Sequence, residues 1–300
     1  MGEAIEQLAH FIAATPWEAI PKAVREHAKL VVLDTVGVIL AGSVQSEVAG
    51  VRARLTATGG HGATILAPGA PTSDPRTAAF LNGLAGRSIE LCEGHRYVSC
   101  QGAVQALPTA LACAEWLQRS GRETLAGLIF GYEVAARVGA GLTARPLAHQ
   151  NGQAPLLGAV GAGARVRGLN GDQTSLALRI GAILVLTPGY TNAVAGATAL
   201  NVAGGMSGFA GTLAPELALA GVAAQPNAIE EAFAQLVGDG FRPEAVTEEL
   251  GHALAASRAH RTRRRRDVSV RRQHAGARPD QLLRGEVLAP ARGGCADSPR

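Results

Sequence analysis

From Glu3 to Val237 the chain is a succession of apolar runs built from alanine, glycine, leucine and valine, each cut by glycine or proline. Few folds other than helix packed on helix accept that pattern. Aromatic residues are only 4% of the sequence, while glycine alone supplies 38 of its 300 residues. That balance disfavours a sheet core rich in β-branched and aromatic residues and suits close helix contacts across small side chains. With 47% apolar and 17% charged residues the chain is long enough to bury one large core or two smaller ones.

Periodicity places the helices. Ile5, Leu8, Phe11 and Ile12 have helical spacing, and Pro16 closes that run. Pro21 opens a second helix that continues to Gly42, and a third amphipathic segment covers Glu47 to Thr58. Ala63 to Leu66 suits a short strand, and Ser73-Asp74-Pro75 reads as a cap with proline just inside a helix from Arg76 to Leu84. Further helices are expected over Leu107–Arg119, Glu123–Gly139, Gly152–Val166, Gln173–Leu186, Thr198–Ala220 and Ile229–Val237, with Asp172 as the expected cap of the helix from Gln173. The fold class this predicts is all-α.

No early segment has the form of a secretory signal, and the apolar run from Ala177 to Ala193 is short for a bilayer span and interrupted by Arg179, Pro188 and Gly189. No membrane partner is expected. Four cysteines in a chain of this length do not make a disulfide framework, so the expected location is cytoplasmic. The net charge of +4 conceals an asymmetry. From Arg258 onward there are twelve arginines against four acids, a net of +8, so the preceding residues carry −4. Arginine without interleaved aromatics or a folded reader gives only non-specific attraction, so nucleic acid is not the expected partner of this tail.

Chemistry concentrates between Asn82 and Pro108, where Glu90, Cys92, Glu93, His95, Arg96, Tyr97, Cys100 and Gln101 fall within a dozen positions. Glu90 and Glu93 are three apart and would share a helix face, with His95 close enough to join them; a carboxylate pushed towards neutrality by burial can exchange protons near pH 7. The alternative is a capped, solvated helix end. Cys92, His95 and Cys100 lack the spacing of zinc knuckles, and Cys113 sits in an apolar helix, so no metal is expected. The glycines Gly158, Gly161 and Gly163 follow no strand and suit helix packing better than phosphate binding, and Ser207 lacks a strand-turn-helix context. His149, placed before a helix, is a candidate for proton transfer, although a lone histidine is more often structural.

Several motifs in order resemble the MmgE/PrpD family, which includes 2-methylcitrate dehydratase, cis-aconitate decarboxylase and iminodisuccinate epimerase. They are Leu33-Asp34-Thr35-Val36-Gly37 through Ala41-Gly42, Ala79-Phe80-Leu81-Asn82-Gly83, Ile89-Glu90-Leu91, Pro108-Thr109-Ala110-Leu111-Ala112, Gly131-Tyr132-Glu133, His149 with Gly152, and the Gly/Ala-rich run from Asn201 to Gly221. The resemblance spans about residues 3 to 250. It implies a large all-α domain, a smaller α/β lid domain, a homodimer, and no metal or organic cofactor. The implied chemistry is proton abstraction beside a carboxylate of a small di- or tricarboxylic acid, leading to dehydration, decarboxylation or epimerisation. By the same resemblance Glu90, Glu93, His95 and His149 are the catalytic candidates, and Arg96, Gln101 and Asn201 the substrate-binding ones.

The chain departs from the family pattern in three places. Gln101-Gly102 stands where the family has His-Pro, and glutamine exchanges no proton at neutral pH. Ala197 to Asn201 holds no lysine where several members carry one. After residue 250 the sequence turns arginine-rich and patternless where the lid should follow, as a shifted reading frame would produce. The expected organisation is therefore a helical domain over 1–250, lacking most of the α/β lid, and a non-homologous tail over 251–300. A non-catalytic helical dimerisation or binding remnant is the alternative function, and a nucleic-acid-associated protein using the basic tail is a third.

Overall fold

The computed structural model describes residues 2–56, 60, 62–95, 98, 100–251, 254 and 259–260. Its helices are α1 (Glu3–Ala14), α2 (Lys22–Gly42), α3 (Ser46–Leu55), α4 (Pro75–Arg87), α5 (Ala103–Trp116), α6 (Gly121–Gly141), α7 (Ala154–Arg167), α8 (Gly171–Ile183), α9 (Thr191–Val194), α10 (Val202–Leu219), α11 (Ala228–Glu231) and α12 (Glu244–Thr247). The fold is mainly helical, as the apolar runs predict. Among the described residues no single helix is long and apolar enough to cross a membrane.

Local chemistry sets most boundaries. The Asp74 carboxylate accepts from the N–H groups of Arg76 and Thr77 with Pro75 in the first turn of α4, and Ser120 with Glu123 forms a reciprocal capping box on α6. Asp172 does not cap α8. Asn170 does, because its side chain reaches the Gln173 N–H while Asp172 lies inside the first turn and faces His10 at 3.1 Å. The expected helix over Thr198–Ala220 divides into a 3₁₀ turn, Thr198–Asn201, and α10. The expected helix over Ile229–Val237 likewise becomes α11 followed by a π turn, Ala232–Leu236. Two short antiparallel pairings arise that helical periodicity does not register: β1 (Gly94–His95) with β4 (Ala259–His260), and β2 (Leu142–Ala144) with β3 (Gly238–Phe241).

Helix α7 is the axis of the core. Residues Ala154 to Ala164 are all buried, and the helix packs against α5, α6, α8 and α10. A helix apolar on every side has no face to give to water. Its neighbours approach so closely that side chains are excluded. A Cβ on Gly131 would lie 2.6 Å from the Gly158 carbonyl oxygen, and one on Gly211 would lie 2.7 Å from the Ala159 carbonyl oxygen. The glycines of this helix therefore serve packing.

Two arginines, buried Arg137 and half-buried Arg165, tie the ends of the bundle. Arg165 donates to the carbonyls of Ile12, Ala13 and Thr15, closing the end of α1. Arg137 pairs with fully buried Glu133 at 2.6 Å and donates to the carbonyls of Val246 and Glu248. Glu133 thus holds residues 246–248 to α6 through Arg137. Asn82, also within a family-like motif, bonds Thr64 and Leu66 and fixes the short 63–66 segment.

Candidate functional site

The site is built around a residue that sequence patterning does not single out. Arg87 ends α4, where a cation complements the negative end of the helix dipole, and its side chain is 1% exposed. It lies along α10, where a Cβ on Gly204 would approach its Cγ to 2.5 Å. Its Nη1 donates to Gln101 Oε1 at 2.6 Å and to Cys92 Sγ at 2.7 Å, and its Nη2 donates to Glu90 Oε1 at 2.8 Å. The hydrogen-bonding pattern also orients the Asn151 amide. Its oxygen accepts from Arg87 Nε at 3.1 Å and Nη2 at 2.9 Å, and its nitrogen donates to Gln101 Oε1 at 3.0 Å.

The helical face expected to join Glu90 and Glu93 does not form. The segment between α4 and β1 is irregular, and Glu90 takes a left-handed conformation with φ 53°. Such a backbone is uncommon outside glycine and is held here by the bond to Arg87. Glu90 is half exposed, whereas Glu93 turns inward and is 3% exposed. Burial pushes the Glu93 carboxyl up to about 7, against the opposing N–H groups of Ala103 and Val104 at the start of α5. The Ala103 N–H donates to its Oε1 at 2.7 Å, while its Oε2 meets no hydrogen-bond partner among the described residues.

His95 and Tyr132 stand on the Glu93 side, with ring centroids 6.2 Å apart. Burial raises the Tyr132 phenol and the Cys100 thiol well above their usual ranges, and Glu93 adds to both effects. The Cys92 thiol is likewise pushed up to about 11 by burial, although Arg87 opposes it. Among the described residues no group of three or more His, Cys, Asp or Glu could hold a metal ion.

His149 arrives from the other direction, on the loop before α7. Its backbone N–H bonds the Pro188 carbonyl, its ring stacks on Tyr190 at 5.5 Å, and its Nδ1 accepts from the Asn151 N–H at 3.2 Å. Burial, reinforced by the charge of Arg87, lowers it to about 4. The ring is therefore neutral at pH 7, with its proton on Nε2. Gly152 follows in a left-handed turn with φ 80°, and its N–H reaches Gln105 Oε1 at 3.4 Å. Gln105 also accepts from Ser207 Oγ at 2.6 Å, which gives Ser207 a structural place in the network.

A family model described as the MmgE/PrpD N-terminal domain matches residues 6–245. The chain belongs to the MmgE/PrpD family. No curated protein matches it.

Of the expected MmgE/PrpD site positions, the fold gathers Glu90, Gln101 and His149 around Arg87 and sets Glu93 and His95 just behind them. Asn201 is buried at the junction with α10, one turn before Gly204. Arg96 lies outside the described residues, as does the arginine-rich sequence from 261 onward. Arg87, Asn151 and Gln105 went unrecognised. A signal for Arg87 existed, since it is the lone charge in the apolar second half of α4. Gln105 carried none, because an amide inside an apolar run does not announce its partners, and Asn151 was one of several neighbouring amides with nothing to set it apart. A separate groove of about 380 Å³, lined by Gly2, Glu230 and Thr247 among others, shares no residue with this network.

Proposed function

We propose that this MmgE/PrpD chain acts as a lyase or isomerase on a small di- or tricarboxylic acid, by removing a proton next to a carboxylate. The observation that carries this reading is the convergence of buried Arg87, half-exposed Glu90 and neutral His149. Glu90 is the base, held by one carboxylate oxygen and reachable from solvent. Negative charge then develops on the substrate carboxylate as its α-carbon is deprotonated. The Nε2–H of a neutral imidazole donates a hydrogen bond to that charge, and the positive potential of Arg87 stabilises it. Glu93, carrying a proton near neutrality, is the reserve acid behind the site. Incubation with 2-methylcitrate, cis-aconitate and iminodisuccinate, followed by alkene absorbance and carbon dioxide release, tests the reading. Turnover of at least one that disappears in Glu90→Gln supports it, and inertness towards all three removes it.

A second reading, a non-catalytic helical dimerisation module, draws on two features. Gln101 stands where the family resemblance implies a histidine, and α2 exposes an apolar stripe of Leu30, Leu33 and Leu40 running on to Val44. A stable dimer without turnover, which Leu33→Glu dissociates in sedimentation, favours that reading over the enzyme.

A further inference from the structure

The carboxylate reading leaves open which groups touch the ligand. Resting on that reading, we propose that Arg87 is a positioning residue, and that the ligand's carboxylate is met by the Gln101 side-chain amide and by His149 Nε2–H.

A guanidinium has five N–H donors, and all five of Arg87's are committed. Two go to Cys92 Sγ and Gln101 Oε1 from Nη1, one to Glu90 Oε1 and one to Asn151 from Nη2, and one to Asn151 from Nε. A ligand binding Arg87 directly would have to break one of these bonds in a buried setting, where an orphaned partner is costly. The same bonds fix the polarity of what faces outward. Gln101 Oε1 accepts from both Arg87 and Asn151, which uses its two lone pairs. Nε2, with two donors, is the capacity left on a side chain that is half-buried. His149 is set by the backbone of the same residue, because the Asn151 N–H occupies Nδ1 and leaves the proton on Nε2.

Arg87 thus orients the Gln101 and Asn151 side-chain amides, and by holding the Asn151 side chain it anchors the residue whose backbone N–H selects the imidazole tautomer. The groups left uncommitted by this network, Gln101 Nε2 and His149 Nε2–H, are donors, and they suit an acceptor-only partner: an ionised carboxylate, in preference to the corresponding amide. Glutamine at position 101 then serves as a fixed hydrogen-bond donor, and proton exchange is left to other groups.

The test uses the full 300-residue chain labelled with ¹⁵N, with malonate as probe and malonamide as its uncharged counterpart. Malonate should move the Gln101 side-chain NH₂ and the His149 Nε2 resonances while the Arg87 Nε–H stays in place, and malonamide should move none of them. Gln101→Leu should weaken malonate binding roughly ten- to hundredfold, the range of one hydrogen bond to a charged group. In Arg87→Lys, which keeps the charge and loses the fork, the His149 proton should divide between Nδ1 and Nε2 while far-ultraviolet dichroism is unchanged. A malonate-induced shift at Arg87 Nε–H with Gln101 unmoved overturns the proposal. So does a wild-type His149 protonated on Nδ1, or malonate that moves none of the three. Malonate binding through Gln101 in a chain that turns over no substrate would remove the enzyme reading and leave this assignment standing.

Discussion

On one side of Arg87, Glu93 lies beneath the start of α5 with His95, Cys100 and Tyr132; on the other, His149 lies against Tyr190 beside a loop that is largely exposed from Thr187 to Ala199. The same burial acts on both sides with opposite sign. It raises the acid, Glu93, to about 7 and lowers the base, His149, to about 4, so near neutral pH His149 is uncharged and Glu93 exchanges its proton. Arg87 and Glu90 remain as the ion pair between a partly protonated acid and a neutral imidazole. A polar cluster in an apolar bundle thus need not be highly charged. One paired cation can organise it while its titratable neighbours hold or release protons according to depth.

The strongest way to break this comparison is to remove its divider. Arg87→Met leaves Glu90, Gln101 and Asn151 without their shared donor and should cost about 3 kcal/mol or more in urea unfolding at pH 7. A loss below about 1 kcal/mol would mean that the two sides do not depend on the arginine.

Glu93→Gln isolates the acid side. Because the folded carboxyl is raised, the folded chain binds the proton more tightly. That stability is complete below about pH 4.5 and is lost as pH rises through about 7. The wild type should therefore lose about 3 kcal/mol between pH 4.5 and pH 8 relative to Glu93→Gln, read from denaturation midpoints across that range. Parallel curves for the two proteins would contradict the burial of Glu93.

His149→Gln probes the base side with the reverse sign. A depressed imidazole gives stability that is present above about pH 6.5 and is lost as pH falls towards 4. The difference should be about 2 kcal/mol, smaller than for Glu93 because the loop beside His149 admits more solvent. Between pH 4.5 and 6.5 the two slopes oppose each other, so the wild type should show a flatter profile than either variant.

The smallest effect belongs to Tyr190→Ala. Loss of the stacked ring should cost about 1 kcal/mol, raise the His149 titration seen by NMR, and leave the Glu93-dependent slope unchanged. A change in that slope would show that the two sides communicate past Arg87.

Much of this architecture was legible before any coordinates. The cap at Asp74, the break at Pro16 and the glycine-rich contacts of α7 follow from local chemistry and small-residue periodicity. So did the region of the candidate site, since polarity is scarce elsewhere. The arrangement inside that region was not legible. Three-residue spacing suggested one helix face for Glu90 and Glu93, but the chain leaves helical geometry after Arg87, and the two carboxylates end in different environments. Short pairings such as β2 with β3 escape periodicity because a strand of three or four residues carries too little pattern.

The sequence by itself determined the helical class, the family, and the stretch in which polar groups concentrate. Those depend on composition and on patterns repeated over many residues, which local physics reads directly. Only the tertiary structure decided that Arg87 is the centre, that Asn151 links it to His149 across 62 positions of chain, and that Glu93 and His149 approach neutrality from opposite sides. Desolvation and hydrogen-bond geometry depend on what surrounds a group in space. In this bundle those surroundings come from α4, α5, α7 and α10 together.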